Sequence, residues 1–196
     1  EFSFIVVQFE GDYFVMSLTQ SPLLESINKT SFFNVFSKEE KAKLVERKAL
    51  FKRYEKKGLI IFSEGDKGDS MFVVLSGTIN ITKLVTPNNQ EKNTSLEKPK
   101  HTVIAKLELG SIFGEIGMLT GKTRTTYAIT GSPLVILMEI NQKGMYSFNY
   151  AIQNKFNAQL ISTLISRLNA INKKFVNLKE EYLKMKKYCD ELKSEI

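Results

Sequence analysis

Between residues 51 and 140 the chain alternates short runs of β-forming residues with turns that contain glycine. The runs are 51–54, 59–62, 71–75, 78–82, 102–107, 125–130 and 135–140, and β-branched and aromatic residues are frequent in them. Turns such as Glu64-Gly65-Asp66 and Ser76-Gly77 separate the runs. Many short strands at near-regular spacing are typical of a sandwich, roll or small barrel. We therefore predict such a β domain for the middle of the chain.

The segments around this region carry different signals. Residues 1–19 predict two strands around a turn at Gly11-Asp12, either pairing with the main sheet or ending a preceding domain. Helices are predicted to start at Ser21-Pro22 and at Ser37, where Glu40 completes a capping box before residues 41–50. The polar stretch 85–101 is expected to be an extended, disordered hairpin loop.

From residue 161 a seven-residue apolar repeat runs to the end of the chain. The first heptad row is Ile161, Leu168, Phe175, Tyr182, Cys189 and Ile196, and the second is Leu164, Ile171, Leu178, Met185 and Leu192. Alternating spacings of three and four predict a left-handed coiled coil.

The charges beside this repeat give a mixed signal about how two copies would align. In a parallel register, Glu181 and Lys186 form a favourable cross-helix pair, whereas Lys174 and Lys179 repel each other. The alternative is one amphipathic helix packed on its own domain. Because a helix of this length would overhang a small β domain, we favour self-association as a homodimer.

Composition excludes several classes of site. The net charge of +7 suits an anionic ligand, although a solvated lysine-rich surface is the plainer interpretation. A single cysteine, Cys189, excludes an internal disulfide, and a single histidine, His101, excludes histidine triads and multi-histidine metal sites. We expect no metal and no enzymatic activity.

The cellular setting and the extent of the chain are expectations of the same kind. No apolar run approaches a membrane span, and no basic-then-apolar leader opens the chain, so we expect a cytoplasmic protein. The chain starts without methionine and ends inside the heptad pattern, which suggests a piece of a longer protein.

Residues 109–130 concentrate the residue types that bind a phosphosugar. Three glycines (114, 117 and 121) allow close backbone approach and positive φ. Arg124 is the side chain best shaped to bind phosphate with two donors, and Glu115 can accept a hydrogen bond from a sugar hydroxyl. This segment therefore predicts a small phosphosugar site.

A P-loop within the same segment is excluded. Gly121-Lys122-Thr123 matches only its end, because the glycine required five residues earlier is Ile116. A P-loop also needs a helix to follow, whereas residues 125–130 have strand composition.

Two motifs resemble those of cyclic nucleotide-binding domains. Phe113-Gly-Glu-Ile-Gly-Met-Leu, followed by Arg124-Thr125-Thr126, is similar to the family's phosphate-binding cassette. Upstream, residues 58–66 and 68–79 look like its glycine-punctuated β-roll. The resemblance covers residues 21–168. It implies an α+β fold: an antiparallel, jelly-roll-like β-roll flanked by N-terminal helices and a long C-terminal coiled-coil helix.

The resemblance also implies roles for the cassette residues. Arg124 would pair with the cyclic phosphate, and Glu115 would accept the ribose 2′-hydroxyl. Gly114 and Ile116 would contribute backbone groups. Thr125, beside Thr126, would add donors at the phosphate. The alternative is a buried Glu115–Arg124 ion pair in a domain that has lost its ligand.

Two positions depart from the family pattern. Thr123 stands where many members have proline, and Thr125 stands where many cAMP binders have alanine. A hydroxyl at Thr125 resembles the cGMP-preferring pattern, although cAMP binders with serine or threonine there also occur. We expect a cyclic nucleotide ligand, with cAMP slightly favoured over cGMP and both left open.

The expected function is a non-enzymatic cyclic nucleotide sensor that relays a conformational change through its C-terminal helix. The expected organisation is an N-terminal strand segment (1–20) without an assigned role, a nucleotide-binding domain (21–160) and a dimerisation helix (161–196). One alternative is a catabolite-activator-type transcription regulator whose DNA-binding part is missing. The other is a dimeric assembly module that does not bind nucleotide.

Overall fold

The structure, a computed structural model, describes residues 4–9, 12–17, 22–85 and 100–194, and the chain divides into two compact units, 1–155 and 156–196. The helices are α1 (Pro22–Lys29), α2 (Lys38–Glu46), α3 (Glu115–Thr120), α4 (Gln142–Tyr146) and α5 (Tyr150–Ser194). The strands are β1 (Phe4–Phe9), β2 (Asp12–Ser17), β3 (Phe51–Tyr54), β4 (Ile60–Phe62), β5 (Ser70–Ser76), β6 (Ile79–Val85), β7 (Lys100–Leu107), β8 (Ile112–Phe113), β9 (Tyr127–Thr130) and β10 (Val135–Asn141).

Two four-stranded antiparallel sheets form the body of the first unit. Their strand orders are β3-β10-β5-β8 and β4-β9-β6-β7. One hydrophobic core draws side chains from both sheets: Phe62, Phe72, Val74, Ile79, Phe113, Ala128, Val135 and Leu137. The predicted antiparallel β-roll with flanking helices is confirmed.

The N-terminal segments follow the sequence signals closely. β1 and β2 pair antiparallel in a separate two-stranded sheet, as the predicted pair of strands requires. Pro22 is the first residue of α1. Ser37 caps α2 in a capping box, in which its hydroxyl accepts from the Glu40 backbone and the Glu40 carboxylate accepts from the Ser37 backbone.

Element boundaries differ from the sequence predictions where pairing extends or interrupts a run. β6 continues to Val85 because β7 pairs with it through Lys100, while residues 86–99 of the predicted loop lie outside the described residues. β9 begins at Tyr127 rather than Thr125. Arg124, the residue before Thr125, is held in a turn, where its backbone N–H donates to the Asp66 carbonyl at 2.8 Å. The predicted helix 41–50 ends at Glu46, and a 3₁₀ turn follows.

Glu40 also connects α2 to the start of α5. Its carboxylate accepts hydrogen bonds from Lys155 Nζ at 2.6 Å and from the Ser37 backbone at 2.7 Å. These two bonds hold the pKa of Glu40 below its usual range. The ionised carboxylate is therefore stabilised in the folded state.

Replacing Glu40 with glutamine should lower the free energy of unfolding by about 1 kcal/mol at pH 7. Because the pKa of Glu40 is lower in the folded chain than in the unfolded chain, its contribution is complete at neutral pH. The contribution is lost as the pH falls through the folded value. The difference between wild type and Glu40→Gln, measured by urea unfolding, should thus be constant near neutral pH and shrink as the pH falls below about 4. Glu46→Gln in the same helix is the control, and a difference that grows in acid would contradict the assignment.

The second unit is the helical segment after residue 155. Within it, most heptad positions are exposed where the structure describes the side chain: the exposed fraction is 58% for Ile161, 66% for Phe175 and 64% for Leu178, whereas Leu164 is half-buried. None of the helices in the described ranges combines the length and the apolar character that crossing a membrane requires.

Candidate functional site

The predicted phosphosugar segment contains a six-residue helix, α3, with a left-handed glycine at each end. Gly114, with φ of 75°, precedes α3, and Gly121, with φ of 68°, follows it. Glycine adopts this conformation without the steric cost that a Cβ imposes. The two glycines let the chain turn sharply out of β8, through α3, and back toward Arg124. Neither β8 nor α3 was predicted from the sequence.

The Arg124 guanidinium contacts the residue that precedes this helix and is hydrogen-bonded to neutral acceptors. Its Nη1 donates to the Gly114 carbonyl at 2.6 Å. Its Nη2 donates to the Ser70 carbonyl at 2.7 Å and lies 3.1 Å from the Ser70 hydroxyl. No carboxylate forms an ion pair with Arg124 within the described part of the chain.

Aromatic rings cover the same guanidinium. Its central carbon lies 4.4 Å from the centroid of the Phe62 ring and 5.8 Å from that of Phe72. Such contacts favour the cation through the ring quadrupole. Only 5% of Arg124 is exposed, and this burial lowers the pKa of the guanidinium, while the negative charges of Asp69 and Asp66 act in the opposite direction. Arginine stays protonated in proteins, so a positive charge is buried here.

One donor of this buried cation has no acceptor. Within the described residues, Arg124 Nε is the buried side-chain atom that lacks a hydrogen-bond partner. An unpaired buried donor is costly, and the cost is larger for a charged group. The arrangement therefore favours an anionic acceptor at Arg124.

The backbone on either side of Arg124 is fixed by the turn between β4 and β5. The Arg124 carbonyl accepts from the Gly65 N–H at 2.8 Å, and Thr123 forms an antiparallel bridge with Lys67. A Cβ added at Gly68 would lie 2.6 Å from the Gly117 Cα, so the turn and the cassette touch backbone to backbone. Thr123 thus sits in a turn that several backbone contacts hold.

The other predicted residues surround Arg124 in sequence and differ in exposure. Glu115 is the first residue of α3 and is 3% exposed. Ile116 and Thr125 are exposed, and Thr126 is half-buried. The contact between Gly114 and Arg124 is the one that the structure shows directly, so the ligand-binding roles of all six residues stay predictions.

The sequence analysis did not identify three residues that contact the Arg124 guanidinium. Ser70, Phe62 and Phe72 lie more than fifty residues before Arg124 and approach it only because β5 and β4 fold against the cassette. The motif Gly68-Asp69-Ser70, which carried part of the family resemblance, was the available signal for Ser70. The described residues contain no group of three or more His, Cys, Asp or Glu side chains placed to hold a metal ion.

Comparison with known proteins identifies a family for the middle of the chain. The sequence model of the cyclic nucleotide-binding domain family matches residues 52–148. A cGMP-dependent protein kinase, egl-4 of Caenorhabditis elegans, is 25% identical over 123 residues, which are 63% of this chain and 14% of the kinase. The chain thus matches about one seventh of the length of this relative.

Solved structures agree in fold. A cyclic nucleotide-binding domain from Methylobacillus flagellatus superposes with a TM-score of 0.57 at 25% identity, covering 76% of this chain and 78% of that one. The Thermus thermophilus catabolite activator protein gives a TM-score of 0.58 at 19% identity, covering 76% and 62%.

Proposed function

We propose that this chain, whose residues 52–148 belong to the cyclic nucleotide-binding domain family, is a non-enzymatic regulatory module that binds cAMP or cGMP. The buried Arg124 guanidinium carries the proposal, because its Nε donor has no acceptor among the described residues. The proposed binding residues are Gly114, Glu115, Ile116, Arg124, Thr125 and Thr126.

The chemistry of the ligand fits a single arginine. A cyclic phosphodiester carries one negative charge at neutral pH, and one guanidinium balances it. Arg124 is already held by neutral carbonyls rather than by a carboxylate, so a bound phosphate does not have to displace an internal ion pair. This contrasts with the expectation for a domain that has lost its ligand, in which Glu115 and Arg124 would pair with each other.

The residues around Arg124 support the remaining contacts. Ile116, in α3, and Thr125, directly after Arg124, are both exposed. A ligand can therefore reach these two residues. The family resemblance assigns the ribose 2′-hydroxyl to Glu115 at the start of α3. The Thr125 hydroxyl and the name of the C. elegans relative both favour testing cGMP alongside cAMP.

One hydrogen bond connects the cassette to α4, and two further contacts connect the region of α2 to the residues between α4 and the start of α5. Gln142 Nε2, in α4, donates to the Met118 carbonyl of α3 at 3.0 Å. The guanidinium of Arg47 lies over the Phe148 ring at 4.2 Å, and Lys155 pairs with Glu40. We propose that a change at α3 on ligand binding moves α4 and the start of α5. Ligand drives this change only through different affinities for the two states.

Self-association completes the proposed function. A helix whose apolar heptad positions are exposed is stabilised by burying them against a partner. We propose a homodimer through residues 161–196, with the nucleotide-binding domain at 21–160 and no role assigned to 1–20.

Calorimetric titration with cAMP and cGMP tests the nucleotide site, with 5′-AMP as the control that lacks the cyclic phosphodiester. We expect saturable binding of at least one cyclic nucleotide and a rise in melting temperature with its concentration. Reduced hydrogen exchange in residues 142–155 on binding is expected from the proposed relay. The absence of binding and of thermal stabilisation with either cyclic nucleotide at millimolar concentration would reject the sensor and favour the assembly module.

A further inference from the structure

The heptad stripe, by which we mean the heptad positions of residues 161–188, is an apolar surface along the second unit. Its side chains at Leu168, Ile171, Tyr182 and Met185 are each more than half exposed. Large apolar side chains that repeat along a helix at this spacing pack against another helix of the same kind. The charges beside the stripe decide how that second helix is oriented.

Two rows of side chains flank the stripe. The leading flank precedes each first-row residue and contains Arg167, Lys174, Glu181 and Tyr188; the trailing flank follows each second-row residue and contains Ile165, Asn172, Lys179 and Lys186. The leading flank is therefore basic toward its start and acidic at Glu181. The trailing flank is neutral toward its start and basic toward its end.

A parallel pair of helices brings the leading flank of one copy against the trailing flank of the other. Glu181 then meets the second copy's Lys186, which is favourable. Lys174 meets the second copy's Lys179, which is not. Twofold symmetry doubles both contacts, so attraction and repulsion offset each other.

An antiparallel pair instead brings leading flank against leading flank and trailing flank against trailing flank. In one register, neither flank brings like charges together. Lys174 faces the second copy's Glu181, and symmetry repeats this attraction. In the trailing flank, Lys179 faces the second copy's Asn172, and Lys186 faces its Ile165. No like charges oppose each other in this register. Its core layers among the described residues are Leu168 with Met185, Phe175 with Leu178 and Tyr182 with Ile171.

Shifting the antiparallel register by one heptad in either direction is less favourable. A shift toward the start of the helix pairs Arg167 with Glu181, but it also places Lys174 against its own symmetry mate. A shift toward the end places Glu181 against the second copy's Glu181 and Lys179 against its Lys179. Like charges facing each other are unfavourable, so the charges select a single register.

We infer that the heptad stripe binds a second copy of this chain in antiparallel orientation, centred between residues 176 and 177. This inference rests on the self-association in the proposed function, and it is independent of nucleotide binding. At a rise of 1.5 Å per residue, the two copies of residue 161 are about 46 Å apart along the axis. In a parallel pair the same residues face each other at roughly 10 Å.

Charge reversal at Lys174 tests the orientation, because the two arrangements predict effects of opposite sign. In the antiparallel pair, Lys174→Glu places one glutamate opposite each of the two Glu181 residues, and the dimer dissociation constant should rise roughly tenfold. In a parallel pair the same change creates an attraction to Lys179, and the constant should fall. Sedimentation equilibrium of the whole chain at low salt measures it.

Two further variants separate orientation from net charge. Lys173→Glu makes the same charge change at the adjacent position, which faces away from the stripe, and should alter the constant less than threefold. Adding Glu181→Lys to Lys174→Glu restores the antiparallel pairs and should recover the wild-type constant. A tighter dimer for Lys174→Glu would overturn the inference.

The single cysteine provides a second readout. By the repeat, Cys189 falls in the first heptad row and would face its own copy in a parallel pair, whereas in the antiparallel register it faces position 164. Mild oxidation of the wild type should therefore give no disulfide-linked dimer, and oxidation of Leu164→Cys should link positions 164 and 189. A Cys189 self-disulfide would overturn the orientation. A monomer in light scattering would overturn the self-association while leaving the nucleotide titration unaffected.

Discussion

Replacing Arg124 with alanine is expected to weaken cyclic nucleotide binding by roughly 30-fold or more. The substitution removes the buried cation proposed to balance the phosphate charge, together with its donors. Calorimetry with the tighter-binding of cAMP and cGMP measures the loss. An unchanged affinity in this variant would reject the proposed site.

Two matched variants make the result specific to the guanidinium. Arg124→Lys keeps the positive charge but loses the planar set of donors, so it should recover only part of the lost affinity. Arg53→Ala removes an exposed arginine of β3 that pairs with Glu55, and this variant should bind nucleotide as the wild type does.

Folding has to be checked in the same samples, because Arg124 is 5% exposed and its alanine variant leaves two carbonyls without their donors. Circular dichroism and a cooperative urea transition show whether the roll persists. If Arg124→Ala is unfolded, Arg124→Lys carries the test. Wild-type affinity in a folded Arg124→Lys variant would contradict a role for the guanidinium fork.

The sequence predicted the β-roll well because its strands are local patterns with clear ends. β3 was predicted without error at 51–54, and the other predicted strands were found with shifted ends. β8 and α3 were missed for a physical reason. Two residues are too few to show a strand period, and six residues interrupted by Gly117 carry little helical signal. Their positions depend on pairing with β5 and on the glycines at the ends of α3.

The candidate site divides in the same way. Gly114 and Arg124 were predicted from a contiguous motif, and the structure joins them by a 2.6 Å hydrogen bond. Ser70 and Phe62 were not predicted, because their roles depend on the packing of two sheets rather than on spacing along the chain. The pairing of Arg124 with carbonyls, rather than with Glu115, also depends on the fold alone.

Different groups therefore set the charge environment of Arg124 and its position. No carboxylate among the described residues is in direct contact with Arg124, because the groups that touch its guanidinium are carbonyls, a hydroxyl and aromatic rings. Its position is fixed by backbone contacts with the turn at 65–67. A ligand that engages Arg124 therefore acts on a residue connected to the turn, to α3 through Gly114, and from Met118 to α4.

The two glycines at the ends of α3 provide the second large prediction, since they share a backbone conformation and differ in surroundings. A Cβ at Gly121, with φ of 68°, would meet no atom within 4 Å. A Cβ at Gly114, with φ of 75°, would lie 2.8 Å from Arg124 Nη1 and 3.2 Å from the Ser70 carbonyl. Both alanine variants pay the left-handed strain, and only the variant at Gly114 meets Arg124.

Gly121→Ala should therefore lower the free energy of unfolding by about 1–2 kcal/mol, the strain alone. Gly114→Ala should lower it by about 2–5 kcal/mol, because overpacking adds to the strain. The guanidinium has little room to retreat: its two terminal nitrogens are bonded to backbone carbonyls, and Phe62 covers its face. Urea unfolding of the two variants and the wild type measures both losses.

Nucleotide affinity gives the functional half of this comparison. Gly114→Ala displaces the guanidinium and should weaken cyclic nucleotide binding at least tenfold beyond any effect of Gly121→Ala, measured under conditions in which both variants are folded. The strain common to both variants does not produce this difference, so a difference has to come from the surroundings of Gly114, where Arg124 Nη1 is the atom nearest to the added Cβ. Equal losses of affinity and of stability in the two variants would mean that the Gly114–Arg124 contact does not position the arginine for binding.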